Sequence, residues 1–278
     1  MKDNDTITER FIDLEAIFAS KNIPVSKFAL RFLNRLLHVD QINEGIYKNR
    51  DKEGADFAKA ILNYLDISVE SINDSNIPAS DNPLIVGNHP LGGPDGMALI
   101  ATVGAYRDDI LFPVNDFLMN LPNLRSVFVP IDKVHRNTNN VQTLNEAFAG
   151  QNALLYFPAG LCSRRINGKI VDMDWKPTFI KKAVVHQRDV IPVFFEARNR
   201  RRFYTIANLR KRMKIKFNFE MALLPGEMFA QGGKTFKITF GKPIPWQTFD
   251  KSHSAQEWAT LVKEHVYALK ENPDISFK

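Results

Sequence analysis

The sequence lacks most of the features that settle a protein's class at once. It has a single cysteine, Cys162, in 278 residues, so the chain can build neither an internal disulfide framework nor a cysteine-based zinc site. Such usage suits a reducing compartment. No long apolar run is present: the longest largely apolar stretch, residues 97–105, is far short of the roughly 20 residues a spanning helix requires. The opening Met1-Lys2-Asp3-Asn4-Asp5 is polar and acidic, unlike a signal peptide. These absences lead us to expect a cytoplasmic protein whose contact with a membrane, if any, is made at the surface. There is no internal repeat, low-complexity tract or Gly/Ser linker. His38, His135, His186, His253 and His265 show no metal-ligand spacing, so no metal is expected.

Acidic residues are missing from one place in particular. Residues 198–216 contain nine Lys or Arg and no Asp or Glu, in a chain of net charge +6. An unopposed basic stretch expects an anionic partner, although a solvated charged surface explains such a run equally well.

What is present reads as a globular domain. A hydrophobic fraction of 44% with 24% charged residues is ordinary, and a chain this long buries enough surface to need no staple. Residues 1–66 read as helical. Within them Phe28, Phe32 and Leu36 fall at i, i+4 and i+8, while Lys27, Arg31 and Arg35 follow a neighbouring line. An apolar stripe bordered by basic stems suits an interfacial helix and suits equally a helix packed on its own domain.

From residue 67 the pattern alternates. Short β-rich runs occur at 84–86, 110–114, 127–131, 153–157 and 190–195, with amphipathic stretches at 138–148 and 176–186. This predicts an α/β fold, a mixed and mostly parallel sheet flanked by helices. Two further strands are expected at 216–224 and 235–240, and a last helix opens on the capping box Ser254-Ala255-Gln256-Glu257. The expected organisation is a helical, membrane-facing segment 1–66 and an α/β domain 67–278, joined in one structural unit.

The run after residue 86 carries the chemistry. Gly87-Asn88-His89-Pro90-Leu91-Gly92-Gly93-Pro94-Asp95-Gly96 joins a strand end to an apolar helix, a place where α/β proteins build sites. Histidine, with a free pKa of about 6.5, suits proton abstraction at neutral pH. Pro94 fits a first helical turn, which puts Asp95 near the positive helix end, within reach of one imidazole nitrogen. Gly92 and Gly93 would let backbone N–H groups approach a developing oxyanion. Each piece also has an ordinary reading as cap, turn or structural histidine.

The run Asn88 to Gly96 resembles the His–Asp motif of the glycerolipid (lysophospholipid) acyltransferase superfamily. It is most similar to the haemolysin-like branch of ornithine-lipid and glycine-lipid O-acyltransferases. Five residues separate His89 from Asp95, one more than in the common motif. Three further blocks follow in order: Val127 to Lys133, Tyr156-Phe157-Pro158-Ala159-Gly160 continued by Cys162-Ser163-Arg164, and Val190-Ile191-Pro192-Val193. The likeness spans about residues 80–200 and continues toward Pro245.

The resemblance implies an acyltransferase in which His89 is the general base and Asp95 its partner, with Gly92 and Gly93 at the oxyanion. It implies substrate contacts from Lys133, Phe157, Pro158, Gly160, Ser163, Arg164 and Arg165. The co-substrate would be an acyl-ACP (acyl carrier protein) or acyl-CoA thioester, with no cofactor and no nucleic acid. The acceptor would be a lysolipid on an anionic membrane surface, placing the protein on the inner face of the cell membrane. Ala159 stands where the superfamily has a glutamate associated with acceptor binding, and alanine can neither accept a hydrogen bond nor carry charge. That shifts the expected acceptor from glycerol phosphate to a lyso-aminolipid, whose carboxylate Arg164 and Arg165 could grip. The competing readings are a 1-acylglycerol-3-phosphate acyltransferase, an acyl thioesterase using the same His and Asp, and a non-enzymatic module for anionic membranes or nucleic acid. Cys162 as a nucleophile lacks an adjacent base in sequence.

Overall fold

The computed structural model describes residues 10–20, 22–115, 118–131 and 138–278, the side chains of 138–141 excepted. Four helices lead: α1 (Leu14–Ser20), α2 (Lys27–Leu36), α3 (Val39–Lys48) and α4 (Gly54–Tyr64). Then come β1 (Ile67–Ile72), β2 (Leu84–Gly87), α5 (Gly93–Val103), β3 (Ile110–Asn115), β4 (Phe128–Ile131), α6 (Thr138–Ala149) and β5 (Ala153–Tyr156). A hairpin of β6 (Arg164–Ile166) and β7 (Lys169–Val171) precedes α7 (Thr178–Val185), β8 (Val190–Glu196) and α8 (Arg201–Arg212). The chain ends with α9 (Leu224–Phe229), β9 (Lys234–Phe240) and α10 (Ala255–Ala268).

Seven strands form one sheet in the order β1-β9-β8-β2-β5-β3-β4. Only β8 and β9 pair antiparallel; every other neighbouring pair is parallel. The mixed, mostly parallel α/β fold expected from the alternation is therefore the fold observed. Its central strands carry apolar residues on both faces, as helix-covered parallel strands do. Ile85, Leu155 and Ile191 face a cluster that takes in Ile46, Phe57, Leu62, Leu99 and Val103 of α3, α4 and α5. Leu84, Val86, Leu154 and Val190 face the other way, toward Phe148, Phe179, Trp258 and Val262 of α6, α7 and α10. The period of two along each strand sorts the helices into layers. The N-terminal helices thus share the core of the sheet.

Local signals explain most boundaries. The Ser26 side chain accepts the Ala29 amide at 3.2 Å and caps α2. Ser254 and Glu257 form the expected capping box at α10. His38, in the left-handed region at φ 53°, ends the first apolar-basic stretch and starts α3 in a new direction. The expected strand at 216–224 is not formed. Phe219–Leu223 is a 3-10 turn that runs into α9, with Pro225 in its first turn. Alternating Lys216, Phe217, Asn218 and Phe219 mimic a strand pattern, but buried Glu220 ties the segment to Arg164 and Arg210 and not to a sheet edge. Among the described residues, no helix is long and apolar enough to cross a membrane.

Candidate active site

The site lies where β2, β5 and β8 end side by side. Val86 pairs with Tyr156 and with Pro192, so the loops after these strands leave the sheet on one edge. Asn88 locks the first of them. Its side chain donates to the Phe195 carbonyl at 3.0 Å and accepts the Phe195 amide at 2.7 Å, copying a strand pairing beyond the end of β2. Asn199 donates to the carbonyls of Pro90 and Leu91, both at 3.3 Å. Gly92 starts α5 at φ 107°, a conformation that favours glycine, and a Cβ there would meet Leu224 at 3.1 Å.

This turn brings Asp95 under His89. Asp95 Oδ2 lies 3.1 Å from His89 Nδ1 and accepts the Leu91 amide at 2.9 Å. Because the carboxylate accepts, Nδ1 carries the proton and Nε2 is the basic nitrogen. Asp95 is fully buried while the His89 side chain keeps 18% exposure, so the pair has a dry end and a wet end. Phe157 stacks beneath the imidazole, ring centroids 4.3 Å apart at 21°, and Phe112 supports Phe157 edge-on at 5.4 Å. The ring is thus held by a hydrogen bond on its edge and an aromatic face below.

The remaining residues named from the sequence are placed as follows. Gly93 opens α5 beside Gly92, where the first helical amides have no intrahelical acceptor. Pro158 accepts the Lys176 amide at 3.2 Å, and Gly160, at φ 64°, closes a turn onto the Phe157 carbonyl at 3.0 Å. Ser163 faces the His89 backbone: its amide donates to the His89 carbonyl at 2.7 Å and its hydroxyl to Asp172 at 2.6 Å. Arg164 turns inward. It donates to the Cys162 and Ser163 carbonyls, pairs with Glu220 at 3.2 Å and lies over the Phe203 ring. Arg165 is exposed on the hairpin. Lys133 and His135 lie outside the described residues. Ala159 is buried among the residues of the second core cluster.

Cys162 is buried, and burial pushes its thiol up to about 11, against the pull of Arg164. A thiol that hard to ionise is a poor nucleophile. The basic stretch is less unopposed in space than in sequence. Glu227, fully buried, takes Arg200 at 3.2 Å and Arg202 at 2.8 Å, and Glu220 takes Arg210 at 2.7 Å. Long-range pairing of this kind leaves no trace in a local charge count. Sequence reasoning also missed Asp172, whose surroundings Val171-Asp172-Met173 match no pattern. Its carboxylate accepts the His89 amide and the donors of Ser163 and Trp175.

A histidine with one nitrogen fixed by a buried carboxylate, at the mouth of a parallel sheet, is an arrangement that general acid–base chemistry uses. Residues 15–276 match the family described as Acyltransferase, and the chain belongs to that acyltransferase family. A lyso-glycine lipid O-acyltransferase of Bacteroides thetaiotaomicron is 45% identical over 88% of this chain and 91% of its own length. A protein of the same name from Phocaeicola vulgatus is 42% identical, over 93% of this chain and 95% of that one. The crystal structure of the 1-acyl-sn-glycerophosphate (LPA) acyltransferase PlsC from Thermotoga maritima superposes with a TM-score of 0.49 at 15% identity, covering 94% of this chain and 90% of that chain.

Proposed function

We propose that this acyltransferase moves a fatty acyl group from an acyl thioester, acyl-ACP or acyl-CoA, to the hydroxyl of a lyso-glycine lipid, with His89 as general base. The observation that carries the chemistry is the His89–Asp95 pair, with Nδ1 on the buried carboxylate and the His89 side chain partly exposed. The acceptor is supported by the two relatives that bear that name across nearly their whole length.

In this reading Nε2 takes the hydroxyl proton as the acceptor oxygen attacks the thioester carbonyl. The amides of Gly92 and Gly93 at the start of α5 receive the oxyanion. The tetrahedral intermediate collapses, the C–S bond breaks, and the departing thiolate takes the proton from His89. Transfer is direct, in keeping with the buried, hard-to-ionise thiol of Cys162. The reaction needs no cofactor beyond the acyl thioester. Phe157, Pro158, Gly160 and Ser163 shape the floor. Of the two arginines, Arg165 has the guanidinium available to an acceptor carboxylate, because Arg164 is held by Glu220. The protein works from the inner face of the membrane, on an anionic surface.

The test is purified protein with an acyl thioester and either lyso-glycine lipid or 1-acylglycerol-3-phosphate, products read by mass spectrometry. Diacylated glycine lipid is expected, and none with His89→Ala. Preference for the glycerophosphate, or full-rate thiol release without acceptor, would overturn the reading.

A further inference from the structure

His89 is gripped by its backbone as well as by its ring. The segment after β5 folds back across the loop and takes both polar groups of the His89 peptide. The His89 carbonyl accepts the Ser163 amide at 2.7 Å. The His89 amide points at Asp172, 3.2 Å from each carboxylate oxygen. Asp172 is itself held from several directions. Ser163 Oγ donates to Oδ1 at 2.6 Å and Trp175 Nε1 to Oδ2 at 2.9 Å. Its own amide donates to the Tyr267 hydroxyl at 2.8 Å, and Lys263 donates to its carbonyl at 2.8 Å, so α10 braces the segment from behind. Asp172 and Trp175 are each only 1% exposed. A buried carboxylate ringed by donors, one of them the amide of the proposed base, has more in it than core packing requires.

We propose that Asp172 is a positioning residue for His89, which fixes the histidine peptide and sets a second negative charge behind the imidazole. This rests on the reading of His89 as the general base. Two carboxylates then share the work: Asp95 orients the ring through Nδ1, and Asp172 holds the backbone from which the ring hangs. The imidazolium that forms as the acceptor loses its proton is stabilised by both charges, in a setting where Coulomb interactions are weakly screened.

The state of Asp172 follows from opposing effects. Burial is the larger effect and leaves its carboxyl above the usual carboxylate range, while the Ser163, Trp175 and His89 donors and the charge of the His89 ring work against it. The charged and titratable groups facing this pair are Asp95 from α5, Cys162 and Arg164 from the folded-back segment, and Lys263 and Tyr267 from α10. Neither cation makes an ion pair with Asp172 or Asp95 among the described residues: Arg164 is taken by Glu220, and Lys263 donates to the Asp172 carbonyl.

The test is acyl transfer from acyl-CoA to lyso-glycine lipid by the full chain, followed between about pH 5 and pH 9, the span in which a histidine titrates. Asp172→Asn is expected to lower kcat about tenfold, the worth of one charge-assisted hydrogen bond, with little change in KM. Its acidic limb should move to lower pH, because losing the charge makes His89 harder to protonate. A lower melting temperature with kcat and the acidic limb unmoved would overturn the proposal and leave Asp172 a purely structural residue. If Asp172→Asn does not fold, Trp175→Phe keeps the carboxylate and removes one donor. The carboxyl then protonates earlier, so the charge behind His89 is lost sooner and the acidic limb should move to lower pH, by less than in Asp172→Asn; an unmoved limb and kcat overturn the proposal equally. His89→Gln separates the two levels: activity that survives in it overturns the base assignment itself, whereas an inactive His89→Gln with a normal Asp172→Asn overturns only the role of Asp172.

Discussion

One carboxylate oxygen of Asp95 serves both the ring of His89, at 3.1 Å, and the amide of Leu91, at 2.9 Å. Ring orientation and loop conformation are therefore set by the same atom. Asp95→Asn would keep the shape but offer an N–H or a weaker acceptor to Nδ1, favouring the wrong tautomer. We expect kcat to fall on the order of 10³-fold while the circular dichroism spectrum is retained, as is usual for the carboxylate partner of a catalytic histidine. Activity within a few-fold of the wild type would remove Asp95 from the machinery.

Arg164 and Glu220 illustrate the opposite case, a charge pair that serves the fold. Glu220 is fully buried between Arg164 Nη2 at 3.2 Å and Arg210 Nε at 2.7 Å, the second a close charge contact outside hydrogen-bond angles. Glu220→Gln leaves two guanidinium groups facing each other with no counter-charge. Breaking a buried pair from one side costs roughly 3 kcal/mol, so chemical denaturation should show a loss of that order. Arg164→Ala should also lower stability and shift the KM of donor and acceptor together. A selective rise in acceptor KM would return Arg164 to substrate binding.

How much of this could be read from residues alone depends on the range of the interaction. The strand that ends in Gly87, the Pro94 turn and the Ser254 cap are local signals, and each is where the sequence put it. The register of His89 and Asp95 was legible because both lie in one loop. Asp172 lies 83 residues from His89 along the chain, and no spacing rule links them. The basic stretch misled for the same reason: Glu220 and Glu227 sit just beyond its end and fold back onto it. The strand expected at 216–224 failed because alternation reports an amphipathic pattern and cannot reveal whether a sheet edge is there to receive it.

His265 gives a pH dependence of stability. It is buried on α10, its Nε2 has no hydrogen-bond partner among the described residues, and its ring meets Phe277 edge-on at 5.2 Å. Burial lowers its pKa below the ordinary value. The unfolded chain therefore binds this proton more readily than the folded one. The stabilisation is fully present above the unfolded value of about 6.5 and is lost as pH falls toward and through the folded value. Thermal melts at about pH 7.5 and pH 5 should show a drop in melting temperature that is smaller in His265→Leu. An equal drop in both proteins would assign the acid sensitivity to other groups.

The outer face of α2 bears on where the enzyme works. Phe28 and Phe32 are 79% and 60% exposed, next to Lys27, Arg31 and Arg35. Beyond α2, His38 packs on Phe229 of α9, and Leu224 at the start of α9 lies against Gly92, so α9 links the end of α2 to the His89 loop. A second exposed group, Leu209, Met213 and Phe217, sits among Lys211, Arg212, Lys214 and Lys216, which form no ion pair among the described residues. Large apolar side chains within a basic collar suit insertion below anionic headgroups. Fully burying one such side chain is worth about 1.5–3 kcal/mol. Phe28→Ser with Phe32→Ser should therefore weaken sedimentation with phosphatidylglycerol vesicles by about tenfold or more, while Lys27, Arg31 and Arg35 explain the part of binding that salt removes. With a short-chain acceptor dissolved as monomer, the double variant should turn over at the wild-type rate. Undiminished vesicle binding by the double variant would move the membrane contact from α2 to the end of α8.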